Sequence, residues 1–147
     1  MDKAPIQLLL ADDDVDDCNL FAEVLRELPL TTQLSVVHNG EQLLQTLLKL
    51  VVLPSALFLD LNMPRKNGVE CVNEIKSHEK LKALPIIVYS TSLEPRVISQ
   101  LYDKGASYYI RKPAEFPRLK KVIYNGIMLA INAFGSQPDK ENFVLEQ

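Results

Sequence analysis

The sequence predicts an α/β fold, a parallel sheet with helices on both faces, in a single domain. Three observations carry this expectation. Five short apolar runs recur along the chain, and four have few interior polar residues, the pattern of strands buried on both faces. Stretches of helical period separate the runs. The residues that follow the runs are acids, a hydroxyl and a lysine, which is chemistry at one edge of a sheet rather than scattered surface charge.

The elements follow in order. The first run, IQLLLA at 6–11, leads to NLFAEVLREL, which places Leu20, Val24 and Leu28 on one helical face. The second, QLSVVH at 33–38, leads to EQLLQTLLKL with Leu43, Leu47 and Leu50 aligned. The third, ALFLDL at 56–61, precedes VECVNEIKS, where Val69, Val72 and Ile75–Lys76 share a face. The fourth, PIIVYS at 85–90, precedes RVISQLYDKG, closed by Gly105 as a helix C-terminal signal. The fifth, SYYIRK at 107–112, precedes a last amphipathic run over about 116–134. On that fifth helix Leu119, Val122, Ile123, Gly126, Ile127, Ala130 and Phe134 form a broad face suited to cover the sheet. Tyr124, Met128 and Ile131 fall on its flank, and exposed apolar groups of this kind can mark an association surface. A homodimer through the fifth helix is therefore expected. The alternative is that FVL at 143–145 folds back over the flank.

Bulk properties bound the function. The 147 residues make one domain: 1–134 as the folded unit and 135–147 as a polar C-terminal tail with no output domain. A formal charge of −3 argues against nucleic acid as the main partner, since phosphate binding needs a basic surface. The two cysteines, Cys18 and Cys71, lie far apart with no CxxC, which argues against a zinc or redox site and fits a reducing cytoplasm. His38 and His78 lack a His or Cys partner and read as solvent-facing or capping residues. No run reaches the ~18 apolar residues of a membrane span, and MDKAPIQ lacks a signal-peptide core, so a cytoplasmic location is expected with no membrane partner.

In open parallel sheets ligands bind beyond the carboxyl ends of the strands. The first run ends in Asp12, Asp13 and Asp14, the third in Asp60, the fourth in Ser90 and the fifth in Lys112 followed by Pro113. An acidic pair beside a third carboxylate makes a hard-oxygen site, best suited to Mg²⁺, which also shares oxygens with phosphate. Carboxylates form acyl phosphates, a lysine can hold a phosphoryl oxygen, and a hydroxyl can bond to another. One reaction accounts for each residue type: phosphoryl transfer onto an aspartate. The run LLLADDDVDD holds five aspartates in six residues, more than helix capping alone explains.

The pieces LLLADDD, LFLDLNMPRKNG, PIIVYSTS and GASYYIRKP stand 47 residues from Asp13 to Asp60, 30 from Asp60 to Ser90 and 22 from Ser90 to Lys112. In this order and spacing they resemble the receiver domain of two-component response regulators. DLNMPRKNG and YYIRKP further resemble stand-alone, chemotaxis-regulator-like receivers of the type partnered with bacterial phytochrome kinases. The resemblance implies a flavodoxin-like doubly wound five-stranded parallel sheet, order 2-1-3-4-5, with five helices. It implies Asp60 as phosphoryl acceptor, with Mg²⁺ held by Asp12, Asp13, Asp60 and the Asn62 backbone carbonyl. It makes Ser90 and Lys112 the groups that bond the phosphoryl oxygens, and implies a cis Lys112–Pro113 bond. Gly68 matches the glycine after the acceptor strand. Ser90 and Tyr109 fall at the switch positions, so that Ser90 moves toward the phosphoryl group and Tyr109 turns inward behind it.

Asp14, Asp16 and Asp17 are left as helix-opening, solvated residues. The expected partner is a sensor histidine kinase or a phosphotransfer protein, and the switched surface is the fourth helix, fifth strand and fifth helix. Two rivals stand beside this reading. One is a phosphorylation-independent interaction module with the same fold. The other is an aspartyl phosphatase, but the acid such enzymes carry two residues after the nucleophile is here Asn62, which cannot transfer a proton. Slow self-dephosphorylation is the expected remainder.

Overall fold

The structure, a computed structural model, describes residues 4–133 and 136–145. Five helices alternate with strands: β1 (Ile6–Ala11), α1 (Val15–Glu27), β2 (Thr32–Val37), α2 (Gly40–Lys49), β3 (Ala56–Leu59), α3 (Gly68–Ser77), β4 (Ile86–Ser90), α4 (Pro95–Asp103), β5 (Tyr108–Arg111) and α5 (Phe116–Ala133). A 3-10 turn (Lys140–Asn142) and a short β6 (Val144–Leu145) follow. The strands form one sheet of order β2-β1-β3-β4-β5-β6, every pair parallel. The doubly wound architecture and the order of the first five strands are as the sequence predicts.

Local chemistry sets the helix starts. Asp14 caps α1 by accepting from the Asp17 backbone N–H, and Asn39 caps α2 through Gln42. Asn67 and Glu70 form a reciprocal capping box on α3. α4 begins on Pro95 and is followed by Gly105 at φ 105°, the left-handed conformation that a glycine adopts without steric cost.

Strand alternation then sorts the core into two layers. Leu9, Ala11, Leu57, Leu59, Ile86 and Val88 face α2, α3 and α4, while Leu8, Leu10, Phe58, Ile87 and Tyr89 face α1 and α5. Phe21, Phe58 and Tyr89 meet edge-on in the second layer, with ring centroids 4.9–6.4 Å apart. The α5 face predicted to cover the sheet is buried from Leu119 to Ala130, and Phe134 lies outside the described residues. One helical face differs from expectation. Leu20 is exposed, and the buried stripe of α1 runs through Cys18, Phe21, Val24 and Leu25 to Leu28. Phe21 offers the largest apolar surface on the helix, and turning it to the sheet swings Leu20 outward.

The sixth strand is the main addition. Parallel strands need a crossover of about a dozen residues or more, and α5 with its 18 residues provides one, so β6 extends the same winding. Tyr109 pairs with Val144 and Ile110 with Leu145, and the Tyr109 N–H donates to the Phe143 carbonyl at 3.0 Å. Phe143 is 1% exposed, its ring against Tyr102 and Tyr109. Tyr102 Oη donates to the Pro138 carbonyl (2.7 Å), Gln137 Nε2 to the carbonyls of Tyr102 (2.8 Å) and Ala106 (2.7 Å), and Lys140 Nζ to Ser99 Oγ (2.8 Å). FVL lies along the edge of β5. A three-residue apolar run among charged residues carries no strand periodicity, which is why the sequence predicts only five strands.

Candidate functional site

β1 and β3 deliver their acids together because they are neighbours in register. The Asp60 N–H donates to the Ala11 carbonyl (2.9 Å), and the Asp12 N–H to Val37 of β2 (3.0 Å). Asp12, Asp13 and Asp60 converge, with one carboxylate oxygen from each within 4.8 Å of the others. Asp12 and Asp60 are buried and Asp13 is exposed. Gly68 lets the loop after β3 fold tightly behind Asp60. A Cβ there would stand 2.8 Å from Leu61 Cα and 2.9 Å from the Asp60 carbonyl oxygen.

Lys112 enters from the end of β5, its N–H donating to the Ser90 carbonyl (2.8 Å) and its ammonium 4.4 Å from the centre of the Tyr89 ring. Its Nζ lies 3.0 Å from Asp17 Oδ2, 3.3 Å from Asp12 Oδ2 and 4.0 Å from Asp60 Oδ1. Asp17, read as solvated from the sequence, is therefore an ion-pair partner of the lysine. The bond from Lys112 to Pro113, expected cis, is trans, the isomer an X–Pro amide prefers by about 0.5–1 kcal/mol.

The electrostatics follow from like charge under partial burial. Burial pushes the Asp60 carboxyl up to about 6; Lys112 opposes this, Asp12 and Asp13 add to it, and the Asn62 backbone N–H pulls back. Burial also raises Asp12, against the Asp14 N–H and Lys112. For Lys112 burial favours the neutral amine, but Asp12, Asp60 and Asp17 together outweigh it and hold the ammonium above its usual range. A site that holds two carboxylates partly out of water gains from an added cation. The donor set of three carboxylates, one of them open to solvent, suits a hard divalent ion that keeps several waters.

The other sequence candidates lie around this centre. Ser90 is buried and its Oγ accepts from the Ser92 N–H (3.2 Å). Asn62 is exposed beside Asp60. Tyr109 is fully buried, its hydroxyl donating to the Ser92 carbonyl (2.5 Å), with Phe143 beside the ring. The ring thus already occupies an inward position. His38 and His78 are exposed, and His78 closes α3, but the His38 ring also reaches the Asp12 carbonyl (3.0 Å). Both cysteines are buried free thiols raised to about 11, chiefly by burial.

Sequence reasoning missed Asp17 and Tyr89. A signal existed for Asp17: with Asp14 as N-cap it stands in the first turn of α1, where Cβ atoms tilt back toward the strand ends. Tyr89 gave none beyond strand alternation.

Residues 8–124 match the family model of the response regulator receiver domain. The chain is 28% identical over 124 residues to the response regulator Rcp1 of Synechocystis sp., covering 81% of this chain and 84% of that protein. The crystal structure of the phosphorylated cyanobacterial phytochrome response regulator RcpA matches with a TM-score of 0.79 at 30% identity, over 92% of this chain and 100% of that one. Response regulator RPA3017, from red light signaling in R. palustris, matches with a TM-score of 0.79 at 28% identity, over 92% and 99%.

Proposed function

The chain belongs to the response regulator receiver domain family, and from that premise we propose that it is a phosphoacceptor switch that takes a phosphoryl group onto Asp60. The observation that carries the reading is the convergence of Asp12, Asp13 and Asp60 at the sheet edge, with the Lys112 ammonium 4.0 Å from the Asp60 carboxylate. In the proposed step an Asp60 oxygen attacks the donor phosphorus. The bond from phosphorus to the donor's imidazole nitrogen breaks, its electron pair returns to the ring, and an acyl phosphate forms. Lys112 and the Ser90 hydroxyl would bond the phosphoryl oxygens. Mg²⁺, held by Asp12, Asp13, Asp60 and the Asn62 backbone carbonyl, would supply charge neutralisation on those oxygens.

The donor we propose is a sensor histidine kinase or phosphotransfer protein. The likeness to RcpA and RPA3017 supports a phytochrome-type kinase. Among the described residues no helix is long and apolar enough to cross a membrane, and with a net charge of −3 the proposed partners are cytoplasmic proteins rather than nucleic acid. Asn62 offers no acid to speed water attack, so self-dephosphorylation would be slow. The proposal includes self-association through α5, where Met128, Tyr124 and Ile131 are half-buried beside an exposed Leu129. Sedimentation of Met128→Glu tests it, and equal association of variant and wild type discards it.

Intact-mass spectrometry after incubation with acetyl phosphate and Mg²⁺ tests the main reading. One phosphoryl group on wild type, none on Asp60→Asn, and loss of labelling in EDTA support it. The buried Tyr109 favours a second reading, an interaction module whose α4–β5–α5 face is set without phosphorylation. Absence of an adduct on wild type under conditions that preserve acyl phosphates decides for that alternative.

A further inference from the structure

The geometry points to Asp17 as a positioning residue that holds Lys112 back from the acceptor until the phosphoryl group arrives, an inference that rests on the proposed phosphoacceptor function. An ammonium has three donors and no acceptor. Here its two close partners are Asp17 at 3.0 Å and Asp12 at 3.3 Å, while Asp60 stands off at 4.0 Å. One donor is free, but the two shorter contacts fix the position of Nζ, and moving it toward a phosphoryl oxygen on Asp60 lengthens one of them.

Burial decides which. The Asp12 side chain is fully buried, with its other oxygen accepting from the Asp14 N–H, so water cannot take the place of the lysine there. The Asp17 side chain is 39% exposed and can be rehydrated when released. Its helix does not need the carboxylate either. Asp14 caps α1, and Asp17 serves the cap through its backbone N–H alone. The Asp17 carboxylate is thus available to the lysine, outside the cluster of Asp12, Asp13 and Asp60 that suits a cation. The contact to Asp17 is the exchangeable one, and its strength sets how readily Lys112 reaches the transition state.

The test is the rate of acetyl phosphate labelling, followed by intact mass at saturating Mg²⁺ for each variant. Asp17→Asn keeps the shape, weakens the hold on Lys112, and should label about three- to tenfold faster than wild type. Asp17→Glu, which restores the carboxylate, should return the rate toward wild type. In the Lys112→Met background, labelled slowly over long incubation, Asp17→Asn should bring no acceleration. A charge effect on the metal, or a packing effect on α1, would persist there. An Asp17→Asn rate equal to or below wild type overturns the inference, as does equal acceleration with Glu or with Lys112 absent. If wild type takes no label at all, the phosphoacceptor reading itself fails and this inference falls with it.

Discussion

The carboxyl end of β5 and its outer edge are finished in opposite ways. At its carboxyl end Lys112 meets three carboxylates, and Asp60 is pushed up to about 6 by burial among like charges. Along its open side the tail supplies what the strand lacks: hydrogen bonds for the Tyr109 and Ile110 register, and a phenyl ring that closes the pocket beside Tyr102 and Tyr109. The first region is left electrostatically incomplete and gains from a ligand. The second is complete without one. The proposed function sits where the fold leaves carboxylates crowded and partly out of water.

The contrast is open to direct attack. Asp60→Asn should abolish phosphoryl labelling, a loss of more than about a hundredfold by intact mass, and labelling that persists would move the acceptor elsewhere. On the satisfied side, Phe143→Ala removes a fully buried ring and should cost about 3 kcal/mol, read as a fall of roughly 8 °C in Tm. A fall under about 1 °C would show that the tail is not part of the folded core. The acidic end should behave in the opposite sense. Folding favours the neutral Asp60 acid, so its stabilising contribution is present below the ordinary value of 3.8 and is lost as pH rises through about 6. In EDTA, Asp60→Asn should therefore gain about 2 kcal/mol over wild type between pH 4 and 7. Parallel denaturation curves at the two pH values check this, and added Mg²⁺ should stabilise wild type but not the variant. The smallest effect belongs to Asp14→Ala, which deletes a cap outside the charge network and should cost about 1 kcal/mol at any pH from 6 to 8. A larger loss would mean that Asp14 contributes to the site as well as to α1.

Legibility in the sequence followed the range of the interaction. Leu8 to Leu10, Phe58 and Ile87 announce buried strands because their surroundings are set by the strand itself, and Asp60 stands out as an acid ending such a run. The order of the strands came from the resemblance to receiver domains, and the meeting of Asp12 with Asp60 from the rule that ligands bind beyond the carboxyl ends of parallel strands. What escaped were contacts decided by a second element. The Asp17–Lys112 pair spans 95 positions, the rotation of α1 depends on how Phe21 meets Phe58 and Tyr89, and the burial of Phe143 depends on where α5 returns the chain. The Lys112–Pro113 bond was expected cis from resemblance alone, with no local residue preference behind it.

Sealing β5 also has a colloidal consequence. A sheet invites aggregation at its open edges, because an unpaired row of N–H and C=O groups will accept a strand from another molecule. With β6 in place the middle of β5, Tyr109 and Ile110, is paired and the new edge is a strand of only two residues, while the opposite edge is β2, whose Gln33 and Ser35 are exposed and polar. Two tail residues thus reduce the edge open to edge-to-edge self-assembly to a short strand. A preparation nicked by protease between α5 and Phe143 should lose solubility on concentration before it loses its fold.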